Sequence, residues 1–202
     1  WESHTVAAGF GHDFFEHQLT LGISGNLVLN DVGRKDDDTF EESLVAGGGT
    51  LSVALVATRN DLISLAYSII YSEGYQASPY RFAYLRDPTT GLTIGVPELH
   101  PDKRTRHALA AQYNRYLFKE SALRSHARGY IDDWGVKSIT AGTEYVIGFS
   151  VMEVGVFVRG YFQSKAAFYR DVYDEPRRYM TSDREMSKFI DGFGGLRVGY
   201  RQ

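Results

Sequence analysis

The sequence predicts an all-β fold, an antiparallel transmembrane β-barrel of the outer-membrane type, and three observations carry that prediction. Long stretches alternate apolar and polar residues with a period of two, the period at which side chains on a strand switch faces. In those stretches the polar face carries full charges in mid-strand and the apolar face carries none. Connections between stretches also alternate between short and long, as the turns and external loops of outer-membrane barrels do. Lipid outside and a wet or salt-bridged lumen inside produce this combination.

The first strand sets Val6, Ala8, Phe10, His12 and Phe14 against Thr5, Ala7, Gly9 and Gly11, with a short turn near Phe15-Glu16-His17. The second is the cleanest, with Leu19, Leu21, Ile23, Leu27 and Leu29 opposite Thr20, Gly22, Ser24 and Asn26. An acidic loop, Asp31 to Glu42, is expected before a third strand bearing Leu51, Val53, Leu55 and Ala57. The polar turn Thr58-Arg59-Asn60-Asp61 then leads to a fourth strand with Ile63, Leu65, Tyr67, Ile69 and Tyr71 on one face. A long excursion, Tyr75 to Arg104, contains Asp87-Pro88-Thr89-Thr90-Gly91 between two short apolar runs, the signature of a hairpin within the loop. A fifth strand is expected over Arg106 to Phe118.

The next two strands are long. Leu123, Ser125, Ala127, Gly129 and Ile131 oppose Arg124, His126, Arg128, Tyr130 and Asp132, and after Asp132-Asp133-Trp134-Gly135 come Ile139, Ala141, Thr143, Tyr145 and Ile147 against Ser138, Thr140, Gly142 and Glu144. The eighth strand places Met152, Val154, Val156 and Val158 against Glu153, Gly155, Arg159 and Gln163. A second long loop, Ser164 to Arg184, precedes a ninth strand with Leu196, Val198 and Tyr200 against Asp191 and Arg197. No helix is expected. Nine is odd, and bacterial barrels close with an even number of strands. The expectation is therefore one β-barrel domain over residues 1–202 with strands missing at one or both ends. The chain opens at Trp1 without an initiator Met or a signal peptide, as a mature or partial segment would.

Composition narrows the function classes. A net charge of −3 leaves no footprint for nucleic acid. Mean hydropathy is negative, but a barrel hides from that index because only alternate residues face lipid. No run of 18 apolar residues exists, which excludes helical membrane spans. With Cys 0, disulfides, thiolate metal sites and cysteine nucleophiles are out.

Three groups of candidate residues emerge. The first is a lumen charge network of Arg124, His126, Arg128, Glu144, Glu153, Arg159, Asp191 and Arg197. Arg124, Glu144 and Glu153 lie a few residues above the short-turn rim on adjacent strands, about 4.8 Å apart, and so can pair. Opposed charge rings could form a selective constriction. The favoured reading is a salt-bridge network that fills the lumen, because pairing is the usual way to bury charge. The inward face of the first four strands offers Ser, Thr, Gly and Asn, so the lumen is lopsided in charge. The second group, Arg81, Arg104, Arg106, His107, Asp132, Asp133 and Trp134, lies at the outer mouth. It suits an anionic ligand, but a loop pinned to the rim by Arg–Asp pairs is preferred. The third is an aromatic girdle, with Phe14, Phe15, Tyr113, Phe118, Tyr145 and Phe149 at the short-turn side and Tyr71, Tyr75, Trp134, Tyr161 and Phe162 at the loop side.

An omptin-like hydrolase would pair outer-rim acids with a His, and Asp132, Asp133 and His107 meet that only crudely; no Ser–His–acid set has readable spacing. His126 is expected as a hydrogen-bonded lumen residue, and Asp36-Asp37-Asp38 as a solvated loop rather than a Ca²⁺ site. No cofactor and no metal are expected.

Several stretches resemble an uncharacterised outer-membrane family, domain of unknown function 3570 (DUF3570). They are Tyr71-Ser72-Glu73-Gly74-Tyr75 with Ser78-Pro79-Tyr80-Arg81, then Pro101-Asp102-Lys103-Arg104-Thr105-Arg106-His107-Ala108. Asp132-Asp133-Trp134-Gly135-Val136-Lys137-Ser138 and Tyr161-Phe162-Gln163-Ser164-Lys165-Ala166-Ala167-Phe168-Tyr169 follow in matching order, so the resemblance spans about residues 60 to 200. It implies a bacterial outer-membrane barrel with no established activity and with members extending beyond both ends of this chain. Family members are often encoded near small lipoproteins and flavin-transferring enzymes, a hint of an envelope redox or assembly system. The expected role is a structural or docking barrel of a Gram-negative envelope complex, with a porin-like passive or gated channel for small solutes as the alternative. Expected partners are the bilayer with its lipopolysaccharide, and other envelope proteins or a small lipoprotein.

Overall fold

The computed structural model describes residues 2–35, 37–118 and 120–200. Eleven strands follow one another: β1 (Glu2–Phe14), β2 (Leu19–Arg34), β3 (Asp37–Thr58), β4 (Asp61–Gly74), β5 (Phe82–Arg86), β6 (Thr93–Pro97), β7 (Lys103–Tyr116), β8 (Ser121–Asp132), β9 (Lys137–Phe149), β10 (Met152–Gln163) and β11 (Phe189–Tyr200). Nine form one antiparallel sheet in the order β1-β2-β3-β4-β7-β8-β9-β10-β11, and β5 and β6 form a separate hairpin. The helical content of the described residues is one 3₁₀ turn, Arg184–Met186. The fold is all-β, with the sheet open: β1 pairs only β2, and β11 pairs only β10.

Register preserves one parity across all nine strands. A single row runs Phe10, Ile23, Leu51, Tyr67, Leu109, Gly129, Ile139, Phe162, Ile190, each opposite the next. A row on the other face runs Asp13, Thr20, Ala54, Ser64, Gln112, His126, Gly142, Arg159, Phe193. A slip of one residue in any pair would have exchanged the faces from there on. The polar face of β3 and β4 also carries Ala54, Ala66 and Ile70, so it is less uniformly hydrophilic than expected.

The apolar face is bare. Phe10, Ile23, Leu51, Leu109, Val158 and Leu196 all stand exposed on it. On β4 it is bounded below by Asp61, which accepts a hydrogen bond from the Tyr113 hydroxyl (2.6 Å), and above by Glu73, ion-paired with Lys103 (3.1 Å). Between those ends, Ile63 to Tyr71 spans about 27 Å at ~3.4 Å per residue.

The expected acidic loop, 31–42, is instead strand over 31–34 and 37–42. Asp31 faces Ser43, Val32 faces Glu42 and Gly33 faces Glu41, and the register shifts only at Gly33/Arg34. Charge density had masked the pairing. Val32 and Phe40 are the apolar side chains among these acids, and Arg34 reaches Asp37 (3.8 Å) and lies over the Phe40 ring (5.8 Å). The fifth sheet strand starts at Lys103 rather than Arg106.

Short connections, 15–18, 59–60, 117–120 and 150–151, gather at one end of the sheet; the long ones, 75–102 and 164–188, lie at the other, together with two short ones, from β2 to β3 and 133–136. Segments 75–102 and 164–188 interlock there. Leu85 bridges to Tyr173, Leu99 to Met180, and Tyr169 to Thr181. Ala83, Tyr173 and Met180 form one buried cluster with Leu85 and Val96; Val136, Ala166 and Tyr169 form another with Tyr130, Phe168 and Met186. Among the described residues, Val32 and Val146 are the only deeply buried apolar side chains of the nine-stranded sheet; the rest belong to this loop layer.

Candidate functional site

The charged residues of the polar face separate into a paired group and an unpaired one. Near the short-turn end, Glu144 on β9 faces Arg124 on β8. Arg197 on β11 spans two strands. Its Nε donates to Glu144 Oε1 (2.9 Å) and an Nη donates to Glu153 Oε1 (2.7 Å), while Arg124 completes the set at 3.5 Å from Glu144 Oε2. The reach is possible because Gly155 and Gly199 flank the crossing: a Cβ on Gly155 would stand 2.8 Å from Glu144 Oε1. Of the three residues expected to pair, Arg124 reaches Glu144, and Glu153 is joined to them through Arg197, which bridges the two carboxylates.

Higher on the same face, Arg128 lies over Tyr130 (5.7 Å) and Arg159 over Phe193 (5.7 Å), and neither forms an ion pair among the described residues. His126 lies over Gly142, whose added Cβ would meet its ring at 2.7 Å. Asp191, opposite Tyr161, joins no ion pair among the described residues either.

At the long-loop end the seven expected mouth residues do not converge. Arg104, Asp132 and Trp134 form one knot. The Asp132 side chain, 0% exposed, accepts from Arg104 Nε (3.0 Å) and Nη (2.6 Å), from the Tyr130 hydroxyl (2.8 Å) and from the Val136 backbone N–H (2.8 Å). Trp134 donates its indole N–H to the Lys103 carbonyl (2.9 Å) and lies under the Arg104 guanidinium (4.2 Å). Arg106 sits beside this knot, donating to the Ser72 hydroxyl (3.2 Å), with its Nε buried and unpartnered. Arg81 pairs instead with Asp183 and Glu185 in the second long loop. Asp133 accepts from the Thr105 N–H (2.9 Å). His107 faces the other way, on the apolar side, where its Nδ1 shares a proton with the Tyr67 hydroxyl (2.8 Å). These contacts build a pinned loop, and a carboxylate–histidine pair for hydrolysis is not assembled from Asp132, Asp133 and His107.

The expected girdle aromatics divide between faces. Phe14, Tyr113, Tyr145, Phe149, Tyr71 and Phe162 share the apolar face, and Phe15 and Phe118 project at the short turns. Three residues correct the expectation. Trp134 is 4% exposed, packed on His100 and Phe168. Tyr75 folds edge-on against Phe40. Tyr161 has the polar-face parity, donating to Gln163 Oε1 (2.6 Å). Residue Asp36 of the acidic triplet lies outside the described residues, and Asp37 accepts from the Thr39 N–H and hydroxyl.

Sequence reading missed the interior of the loop layer. Glu98 is buried, accepting from Thr181 Oγ1 (2.6 Å) and facing His100 Nε2 (3.3 Å). Burial alone would push its carboxyl up, but the contacts from His100 and Thr181 outweigh that and hold it below its ordinary value. Burial and a hydrogen bond to Asp171 push the Tyr169 phenol up to about 12. Gln163 closes the layer from below, donating to the carbonyls of Glu185 (2.7 Å) and Ser187 (3.0 Å).

A family model described as protein of unknown function, DUF3570, matches residues 35–201. The chain belongs to this family. The match takes in β3 to β11, with both the charge network and the loop layer, and leaves β1 and β2 outside. No curated protein and no solved structure matches the DUF3570 chain.

Proposed function

We propose that this DUF3570 protein is part of an outer-membrane β-barrel whose role is structural: a lipid-embedded wall carrying a folded external cap that docks other envelope components, without catalysis of its own. One observation carries the reading. The apolar face stays exposed from β1 to β11, and on β4 it is free of charge over about 27 Å along the strand, or roughly 21 Å along the membrane normal at a barrel-like tilt, near the ~25 Å band of known barrels. In water such a face would be an aggregation surface; in lipid it is the required one. The self-contained loop core supports docking, since a rigid cap presents a defined surface. Membrane fractionation and heat-modifiable migration on a detergent gel test placement. A protein that stays monomeric and soluble without detergent would refute it.

A channel for small anions is the second reading, favoured by Arg106, Arg128 and Arg159, which face the polar side with no ion pair among the described residues. Conductance in planar bilayers separates the two. Stable, anion-preferring unitary currents would replace the docking role with transport.

A further inference from the structure

The register row across the apolar face carries a large side chain on every strand except β8, where Gly129 stands between Leu109 and Ile139. A Cβ built on Gly129 would find nothing within 4 Å. The gap opens into a groove of about 530 Å³ between walls formed by Tyr67, His107, Leu109, Ile131, Ile139 and Phe162. Two polar atoms of its wall engage each other, the Tyr67 hydroxyl and His107 Nδ1, in a hydrogen bond of 2.8 Å. The other walls named are apolar.

Two cations stand at the loop-side end of this groove. Ser138 faces Gln163 and Gln163 faces Phe189, so Lys137 and Lys188 each lie one residue beyond that row, on either side of Ser164. The Lys137 N–H donates to the Ser164 hydroxyl and the Ser164 N–H to the Lys137 carbonyl, each at 2.8 Å, which fixes their level. Two strand spacings separate the lysines, about 10 Å. Lys188 Nζ lies 6.0 Å from the Phe162 ring, which itself walls the groove. Neither lysine forms an ion pair among the described residues; of the acids near them along the chain, Asp133 is engaged by the Thr105 N–H, Glu185 is paired with Arg81, and Asp191 has the parity of the opposite face.

We propose that this groove is a specific lipid site: it takes an acyl chain of an anionic, phosphate-bearing lipid of the outer leaflet, with the phosphate held between Lys137 and Lys188. The inference rests on the membrane placement proposed above and adds to it a defined partner. Lysine recognises phosphate as a point charge, and its apolar stem can run along the groove wall toward the headgroup level. An anionic phospholipid matches both halves of the feature, whereas in a zwitterionic one the headgroup's own cation already offsets the phosphate and leaves the paired lysines uncompensated.

The full-length protein, purified in detergent and shown to be heat-modifiable, is exposed to vesicles of dioleoylphosphatidylglycerol or dioleoylphosphatidylcholine, and retained lipid is counted by native mass spectrometry. The expected result is about tenfold greater retention of the anionic lipid, abolished by Lys137→Ala with Lys188→Ala and strongly reduced by Gly129→Phe, which fills the groove with both lysines intact. Should Gly129→Phe fail to fold, Gly129→Val, which suits a strand, takes its place. Equal retention of the two lipids, or a preference that survives removal of both lysines, overturns the lipid site while leaving the barrel standing. A protein that never becomes heat-modifiable overturns the barrel and the site together.

Discussion

The loop layer and the nine-stranded sheet solve opposite problems with the same residue types. In the loop layer Trp134, Tyr173 and Met180 are buried, and polar side chains packed with them find partners there, as Thr181 finds Glu98. In the sheet, Leu51, Leu109 and Leu196 point away from the polar face and touch little beyond their row neighbours. The difference teaches what supplies the hydrophobic partner. The loops bring their own by folding on one another; the sheet leaves that role to its surroundings.

The comparison can be broken at several points. The largest effect is expected in the loop layer. Trp134→Ala removes a side chain that is 4% exposed and leaves the Lys103 carbonyl and the Arg104 guanidinium without it. A local cost of about 3–5 kcal/mol follows from large-to-small core substitutions. Limited proteolysis should cut the 75–102 and 164–188 segments, while the strands keep their heat-modifiable migration. Simultaneous loss of both would mean that the two regions fold as one unit.

Leu51→Arg comes next and tests the other side. Leu51 is 56% exposed, so in water the change would be nearly neutral. In a bilayer an arginine near mid-depth costs about 2–4 kcal/mol. Urea unfolding in lipid vesicles reads the difference, and an unchanged midpoint would place this face in water.

Acid should loosen the loops before the sheet. The folded-state Glu98 carboxyl is held below its ordinary value, so its stabilising contribution is complete above about pH 4.5 and is lost as pH falls through the lower folded value. Glu98→Ala, which strands the Thr181 hydroxyl, should cost about 1–3 kcal/mol at neutral pH and remove this acid-dependent step. Hydrogen exchange of the 164–188 backbone between pH 7 and pH 3 checks both.

The smallest effect belongs to the charge network. Arg197→Ala leaves Glu144 and Glu153 without their bridge, but the groups are partly solvated, so coupling of roughly 1 kcal/mol is expected. A double-mutant cycle with Glu153→Gln measures it. Additive effects would mean that the bridge across β10 does not form in the folded protein.

Much of the sheet was legible from the chain because a two-residue period writes face parity directly: Arg124, Glu144, Glu153 and Arg197 share a face by counting alone. Parity also decides Tyr161 against Phe162, neighbours on opposite faces that a tally of strand-end aromatics groups together. Two things were hidden. The 31–42 segment reads as loop by charge, yet its residues pair between β2 and β3, with Arg34 reaching Asp37. The interlocking of Leu85 with Tyr173 and Leu99 with Met180 joins irregular segments far apart in sequence, where no period exists to announce contact.

The length of β3 has a consequence for reach. Its 22 residues extend about 70 Å, or roughly 55 Å along the membrane normal at a barrel-like tilt. A bilayer with its headgroups is about 40–45 Å thick. In the membrane placement proposed above, the β2–β3 hairpin would therefore rise on the order of 10 Å clear of the membrane surface, as an acidic mast carrying Asp37, Asp38, Glu41 and Glu42. An approaching macromolecule would meet it first, and an epitope grafted at its tip would be visible on intact cells.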